Sequence, residues 1–204
     1  MQEILQSRKR LDFYQSPDID LILCPWGFGG TDNLAQEGAH SILGDTELIR
    51  ALEALKVKVN LIEPPSLGPF EIQESPNRIR NIEAITSVNN WLKEQVYLSR
   101  GMGHLPVVLG GDASLSIASI SALSNFYRDQ GKADEFGVLW FSNHFENSAP
   151  EFTKSWNANR MALTALTYDG DLNNVHEDFK TLISDKFTSI PAIKKKNIVQ
   201  IGIN

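Results

Sequence analysis

In an open parallel sheet, chemistry collects in the loops that follow the carboxyl ends of the strands. The two richest such loops here are Gly110-Gly111-Asp112-Ala113-Ser114 and Ser142-Asn143-His144-Phe145-Glu146. Each follows an apolar run, "LPVVL" in one case and "FGVLWF" in the other. Ser114 and Ser142 offer hydroxyls, but neither stands in a G-x-S-x-G elbow or beside an evident base–acid pair, so a serine nucleophile has no support. The early "GFGG" (27–30) is not a G-x-G-x-x-G fingerprint, although Glu63 lies near the end of the next apolar run. A G-x-x-x-x-G-K-[ST] loop is absent, which leaves nucleoside triphosphate chemistry unsupported.

The elements that must position these loops alternate along the chain. Apolar runs at 19–25, 57–63, 105–109, 136–141 and 197–203 read as strands. Helices are expected from Gln36 to Leu55, from Arg78 to Ser99, from Ser114 to Arg128, around Met161–Thr167 and over Val175–Ser184. Ile42, Leu48, Ile49, Leu52 and Leu55 form the expected buried stripe of the first helix. Ile82, Ile85, Val88, Leu92 and Val96 form that of the second. "GPFEIQESPN" (68–77) and the aperiodic stretch 142–160 read as loops. Strands alternating with helices predict one α/β domain over residues 1–204, a three-layer αβα arrangement around a mostly parallel sheet.

Composition narrows the function classes. Of 204 residues, 42% are hydrophobic and 22% charged, a globular balance, and the net charge is −6. That charge gives no electrostatic support to a nucleic-acid or membrane-surface role. The basic run Lys194-Lys195-Lys196 reads as a solvated turn. The single cysteine, Cys24, excludes an intrachain disulfide and a C-x-x-C metal site, and its apolar surroundings predict a buried, inert thiol. No segment reaches the roughly 18 apolar residues of a membrane span, and "MQEILQSRKRLDFYQ" lacks the apolar core of a signal peptide, so a cytoplasmic location is expected. His40, His104 and His176 have no partner visible in the sequence and are expected at the surface. Trp91, Trp140 and Trp156 are expected to pack rather than bind.

Four motifs in order give the chain a family resemblance. "GGDAS" followed by "LSIASISAL" resembles the GGDHS turn and helix of the ureohydrolases, meaning arginase, agmatinase and formiminoglutamase. Ser142 to Glu146 is similar to their D-A-H-x-D strand end. "GGTDNLAQEGAHSIL" is similar to their glycine-rich first loop and helix, and "NIVQIGI" to their I-x-x-I-G strand. The resemblance implies an arginase-like fold, and a chain that lacks the family's C-terminal strands, which lie in the middle of its sheet. It also implies a dinuclear manganese site whose bridging hydroxide attacks a guanidinium carbon.

Residue by residue, the implied ligands are altered. Ala113 stands at a ligand histidine and Ser142 at a bridging aspartate. His144 matches a ligand histidine, and Glu146 replaces an aspartate with one extra methylene. The last two aspartates of the family lie beyond Asn204. In the loop that holds the substrate's amino-acid end, Thr153, Ser155 and Asn157 match. Ser148 replaces an asparagine, and Asn159 stands at the proton-shuttle histidine. Asp112 is expected to be structural, His144 to be a hydrogen-bonded loop histidine, and Glu146 to be a solvated or ion-paired carboxylate.

The expectation is a catalytically inactive binding, regulatory or assembly subunit that needs no cofactor. The alternative is a Mn²⁺-dependent hydrolase of a guanidino or amidine C–N bond, its site altered or completed by another chain. A metal-free enzyme of another class is the third option. An apolar terminal strand would leave an open sheet edge, which predicts a homo- or hetero-oligomer. The Ser/Thr/Asn-rich loop allows a small-molecule ligand.

Overall fold

The run Ile19–Cys24 forms strand β1, because five consecutive side chains find cover on both of its faces. The computed structural model describes residues 18–31, 35–54, 57–66, 76–183 and 190–202. Parallel strands β2 (Val59–Ile62) and β3 (Leu105–Gly110) flank β1, with Ile19 opposite both Val59 and Leu105. Two helices follow β1, α1 (Ala35–Leu43) and α2 (Thr46–Ala54). Helix α3 (Ile82–Gly101) precedes β3, and α4 (Leu115–Asp129) leads from β3 to strand β4 (Val138–Phe141). Helices α5 (Ala162–Thr167) and α6 (Glu177–Ile183) come next, and β5 (Ile198–Ile201) lies parallel to β4.

The strands are all parallel, yet among the described residues they form two sheets, β2-β1-β3 and β4-β5. The α/β fold with parallel strands is as expected, and the division falls between β3 and β4, where the resemblance places the strands this chain lacks. Strands β3 and β4 are joined through α4 and not through a ladder. Each sheet has its own apolar cluster. Ile22, Cys24, Val88, Leu92, Val96, Leu115 and Ala118 fill the first, between β1, α3 and α4. Trp140, Met161, Leu163, Leu166, Phe179, Leu182 and Ile193 fill the second, with Ile79, Ile82 and Ile117 reaching it from the long helices and the segment before them.

The stripe expected for the second helix is buried at all five positions. The first expected helix is two helices, because Gly44 and Asp45 interrupt it. Glycine in a helix interior costs about 1 kcal/mol relative to alanine. The Asp45 Oδ1 then accepts from the Glu47 amide at 2.8 Å and starts a new helix. The break also turns Ile42 out to 45% exposure, against the buried stripe expected of it. Leu48 and Leu52 are half-buried. Leu55, the Ile49 side chain, the N-terminal stretch and most of the 68–77 loop lie outside what the structure describes.

Several other expectations fall on visible residues. Cys24 is fully buried, and burial raises its thiol above the ordinary range. Trp91 packs edge-on against Trp26 at 5.8 Å, and Trp140 is buried in the second cluster. The Lys194–Lys196 turn is exposed, with Lys194 2.7 Å from Asp134 and Lys195 3.3 Å from Asp169. No helix among the described residues is long and apolar enough to cross a membrane.

Two histidines expected to be unpartnered are not. His104 Nδ1 lies 3.0 Å from both oxygens of Asp20, a carboxylate only 2% exposed at the amino end of β1. Burial opposes the charge of Asp20. Hydrogen bonds from Asn60, Ser99 and His104 outweigh it and hold the carboxyl below its ordinary range. His176 accepts from the Asp178 amide at 3.2 Å, and its ring lies 5.1 Å from that of Trp156. His40 is exposed in the last turn of α1.

Candidate functional site

The loops after β1, β3 and β4 meet at one end of the two sheets, and Gly29 is where they touch. Its amide donates to Asp112 Oδ2 at 2.8 Å, and its carbonyl accepts from the Asn159 amide at 3.1 Å. A Cβ on Gly29 would stand 2.6 Å from Ser114 Oγ and 2.7 Å from Asp112 Oδ1, so no side chain fits there. Gly111 is packed as closely. A Cβ on it would lie 2.1 Å from the Trp26 carbonyl oxygen. The two glycine-rich turns therefore lock backbone to backbone.

Asp112 serves this lock. Besides Gly29, it accepts from the Ser114 amide through Oδ1 at 2.8 Å. Burial raises its carboxyl above the ordinary range, and the hydrogen bonds from Ser114, Gly29 and Gly30 only partly offset this. Its oxygens face turn amides, which fits the structural part expected for it. Ala113, beside it, packs against the second apolar cluster.

The strand end after β4 is organised differently. The Ser142 amide donates to the Ile201 carbonyl at 3.0 Å, extending the β4–β5 pairing by one step. Ser142 Oγ donates to Glu146 Oε1 at 2.7 Å and accepts from the His144 amide at 3.1 Å. Glu146 is 8% exposed, and its Oε2 accepts from the Trp140 indole at 3.1 Å. The expectation of a solvated or ion-paired carboxylate is corrected. Glu146 turns inward onto two neutral donors, because Trp140 and Ser142 lie two residues apart on the core-facing side of the strand. His144 is exposed.

The stretch after Glu146 is not a loose loop. Short 3₁₀ turns at Pro150–Phe152 and Ala158–Met161 shape it. The Ser148 amide donates to the Arg160 carbonyl at 2.9 Å, and the Leu163 amide to the Glu146 carbonyl at 2.8 Å. Thr153 Oγ1 and Ser155 Oγ lie 3.0 Å apart, and Ser155 Oγ accepts from the Asn157 amide at 3.4 Å. Asn157 is 2% exposed. The Oδ1 atoms of Asn157 and Asn159 are both buried with no hydrogen-bond partner among the described residues. Trp156, just before Asn157, has φ of 53°, a left-handed backbone that costs a bulky residue energy. Its carbonyl accepts from the Arg80 amide at 3.1 Å.

A divalent cation would need three or more carboxylates and imidazoles converging, and no such group occurs among the described residues. The Ala113 side chain has no lone pair to give, Ser142 Oγ is bonded to Glu146, and His144 is exposed. Among the described residues, these four positions do not converge as the donor set of a dinuclear metal centre. Sequence reasoning missed Trp140 as the donor to Glu146. The signal available was its spacing, two residues before Ser142 on an alternating strand.

The comparisons with known proteins agree with the motifs. The arginase family model matches residues 17–204. An arginase of Staphylococcus aureus (strain MRSA252) is 31% identical over 188 residues, covering 91% of this chain and 56% of that protein. An arginase of Emericella nidulans is 34% identical over 143 residues, 68% of this chain and 44% of that one. Among solved structures, arginase from Bacillus subtilis superposes with a TM-score of 0.70 at 25% identity, covering 91% of this chain and 57% of that one. The chain thus spans about half the length of the relatives it matches. Within that span, the glycine-locked turns, the parallel strands and the family model all lead to one assignment: the chain belongs to the arginase family of ureohydrolases.

Proposed function

We propose that this chain is a ureohydrolase-fold protein that binds and assembles rather than hydrolyses. One observation carries the reading: the four motif positions Ala113, Ser142, His144 and Glu146 do not converge as a donor set. Glu146 is spent on Trp140 and Ser142, and Ala113 is packed into the apolar cluster. Without a cation to lower the pKa of water, attack on a guanidinium carbon has no nucleophile at neutral pH. Asn159, an amide, cannot shuttle protons.

A small polar ligand is the natural occupant of the loop that bears Thr153, Ser155 and Asn157. Support comes from the buried Oδ1 atoms of Asn157 and Asn159, two acceptors that a donor-bearing ligand such as an amino acid would satisfy. The Ser148 amide donates to the carbonyl of Arg160, the residue after Asn159. Self-association, or association with another chain in the cytoplasm, is the accompanying proposal, supported by the apolar outer face of β4 and β5.

The relatives bear the name arginase, which favours a second reading. In it, the chain contributes to a manganese-dependent hydrolase of guanidino C–N bonds whose remaining ligands lie elsewhere. One experiment separates the two. The chain is purified, dialysed against Mn²⁺ and analysed for metal, alongside urea release from arginine and agmatine. No bound metal and no urea are expected. Stoichiometric manganese with urea release, abolished by His144→Ala, would establish the second reading instead.

A further inference from the structure

A carboxylate taken out of water must find donors or a cation, or else give up its charge. Glu146 has found two neutral donors. Oε1 accepts from Ser142 Oγ at 2.7 Å, and Oε2 accepts from Trp140 Nε1 at 3.1 Å. The network continues in both directions. Ser142 Oγ accepts from the His144 amide, and the Glu146 carbonyl accepts from the Leu163 amide at the first turn of α5. Strand end, loop and helix are thereby tied through one residue, by its side chain on one side and its carbonyl on the other.

We infer that Ser142 and Glu146 are a coupled pair, completed by Trp140, that fixes the end of β4 without any cation. Each residue type explains the other. A carboxylate at position 142 would set two anions about 3 Å apart, and like charges at that distance do not both stay ionised. A hydroxyl instead donates to Glu146 and still accepts from the His144 amide. An aspartate at 146 would be one methylene short of the indole, so the longer side chain is what reaches Trp140. The residues standing at two motif positions form a closed lock whose lone pairs face the core, not the crevice. This goes beyond the proposed lack of hydrolysis, since the lock concerns what holds the strand end and not what the crevice does.

The test uses the full chain labelled with ¹⁵N and reads the Trp140 indole resonance, assigned by Trp140→Phe. Expected is a downfield indole proton that moves upfield in Glu146→Ala. Ser142→Asp is expected to lower the urea midpoint more than Ser142→Ala does. Addition of one equivalent of Mn²⁺ is expected to leave the wild-type indole signal at its position and width. A signal broadened away at one equivalent would place a cation at this strand end and overturn the lock. So would an indole unmoved by Glu146→Ala, or a Ser142→Asp chain as stable as wild type. The wild-type titration decides even where a variant fails to fold. Urea release with the indole signal intact would sink the proposed function alone. A broadened signal with no urea release would sink the lock alone.

Discussion

The two parallel sheets obey the same hydrogen-bonding rules and end differently. In the first, β1 is covered on both faces, and its turn is locked to that of β3 by Gly29, Gly111 and Asp112. In the second, β4 and β5 are covered on one face only. Trp140 packs inward with Val138 and Ile198, while Leu139, Phe141, Val199 and Ile201 lie 40–70% exposed on the outside. Leu139 stands opposite Val199, and Phe141 opposite Ile201, so the four make one contiguous strip. Parallel sheets are ordinarily covered on both faces. In the first sheet the central strand β1 meets that condition, and the second sheet meets it on one side only.

The contrast can be broken most forcefully in the first sheet. Gly111→Ala places a Cβ 2.1 Å from the Trp26 carbonyl oxygen. Neither atom belongs to a flexible side chain, so a loss of about 3 kcal/mol or more in urea unfolding is expected. A variant as stable as wild type would mean that the turns are not locked.

A smaller loss is expected where the second cluster is tied to the start of α3. Arg78 Nε donates to Asp178 Oδ2 at 2.7 Å, and the Ile79 amide donates to the same oxygen at 2.9 Å. Asp178→Asn weakens these charge-assisted bonds and should cost about 1–3 kcal/mol. Burial opposes the charge on Asp178. The Arg78 and Ile79 hydrogen bonds outweigh it and hold the carboxyl below its ordinary 3.8. The folded carboxyl therefore ionises more readily than the unfolded one. Its contribution is complete above the ordinary value and is lost as pH falls through the lower, folded one. Wild type should lose stability over that acid window, and Asp178→Asn should lose less. Parallel acid limbs would refute the assignment.

The smallest effect on folding is expected on the uncovered strip. Phe141→Ser should alter stability by no more than about 0.5 kcal/mol, because the ring meets solvent. The same change should reduce concentration-dependent assembly measured by light scattering. A large destabilisation, or assembly that does not change, would show that this face is not where the chain associates.

Legibility from sequence followed the range of the interaction. The stripe Ile82, Ile85, Val88, Leu92 and Val96 could be read directly, because helical spacing puts these residues on one face whatever they pack against. The GGDAS turn could be read because glycine is needed where backbones approach closely. The helix break was legible in principle from Gly44 and Asp45, but a long apolar period masked it. His104 was not legible, since its partner Asp20 lies 84 residues earlier. Nor was the inward turn of Glu146, which depends on which face of β4 meets the core. The separation into two sheets depends on which strands lie side by side, and apolar patterning within single strands does not encode that.

Cys24, the single thiol of the chain, sits fully buried on the central strand of the better-covered sheet. Its modification by a thiol reagent requires that sheet to open, so the reaction can serve as a clock for that opening. In the limit where closing outruns labelling, the rate gives the free energy of opening directly. The less-covered sheet carries no cysteine and stays silent in such a measurement. A chain with no engineered label thus reports on one of its two halves alone, and the difference between this free energy and that of global unfolding measures how far the halves melt apart.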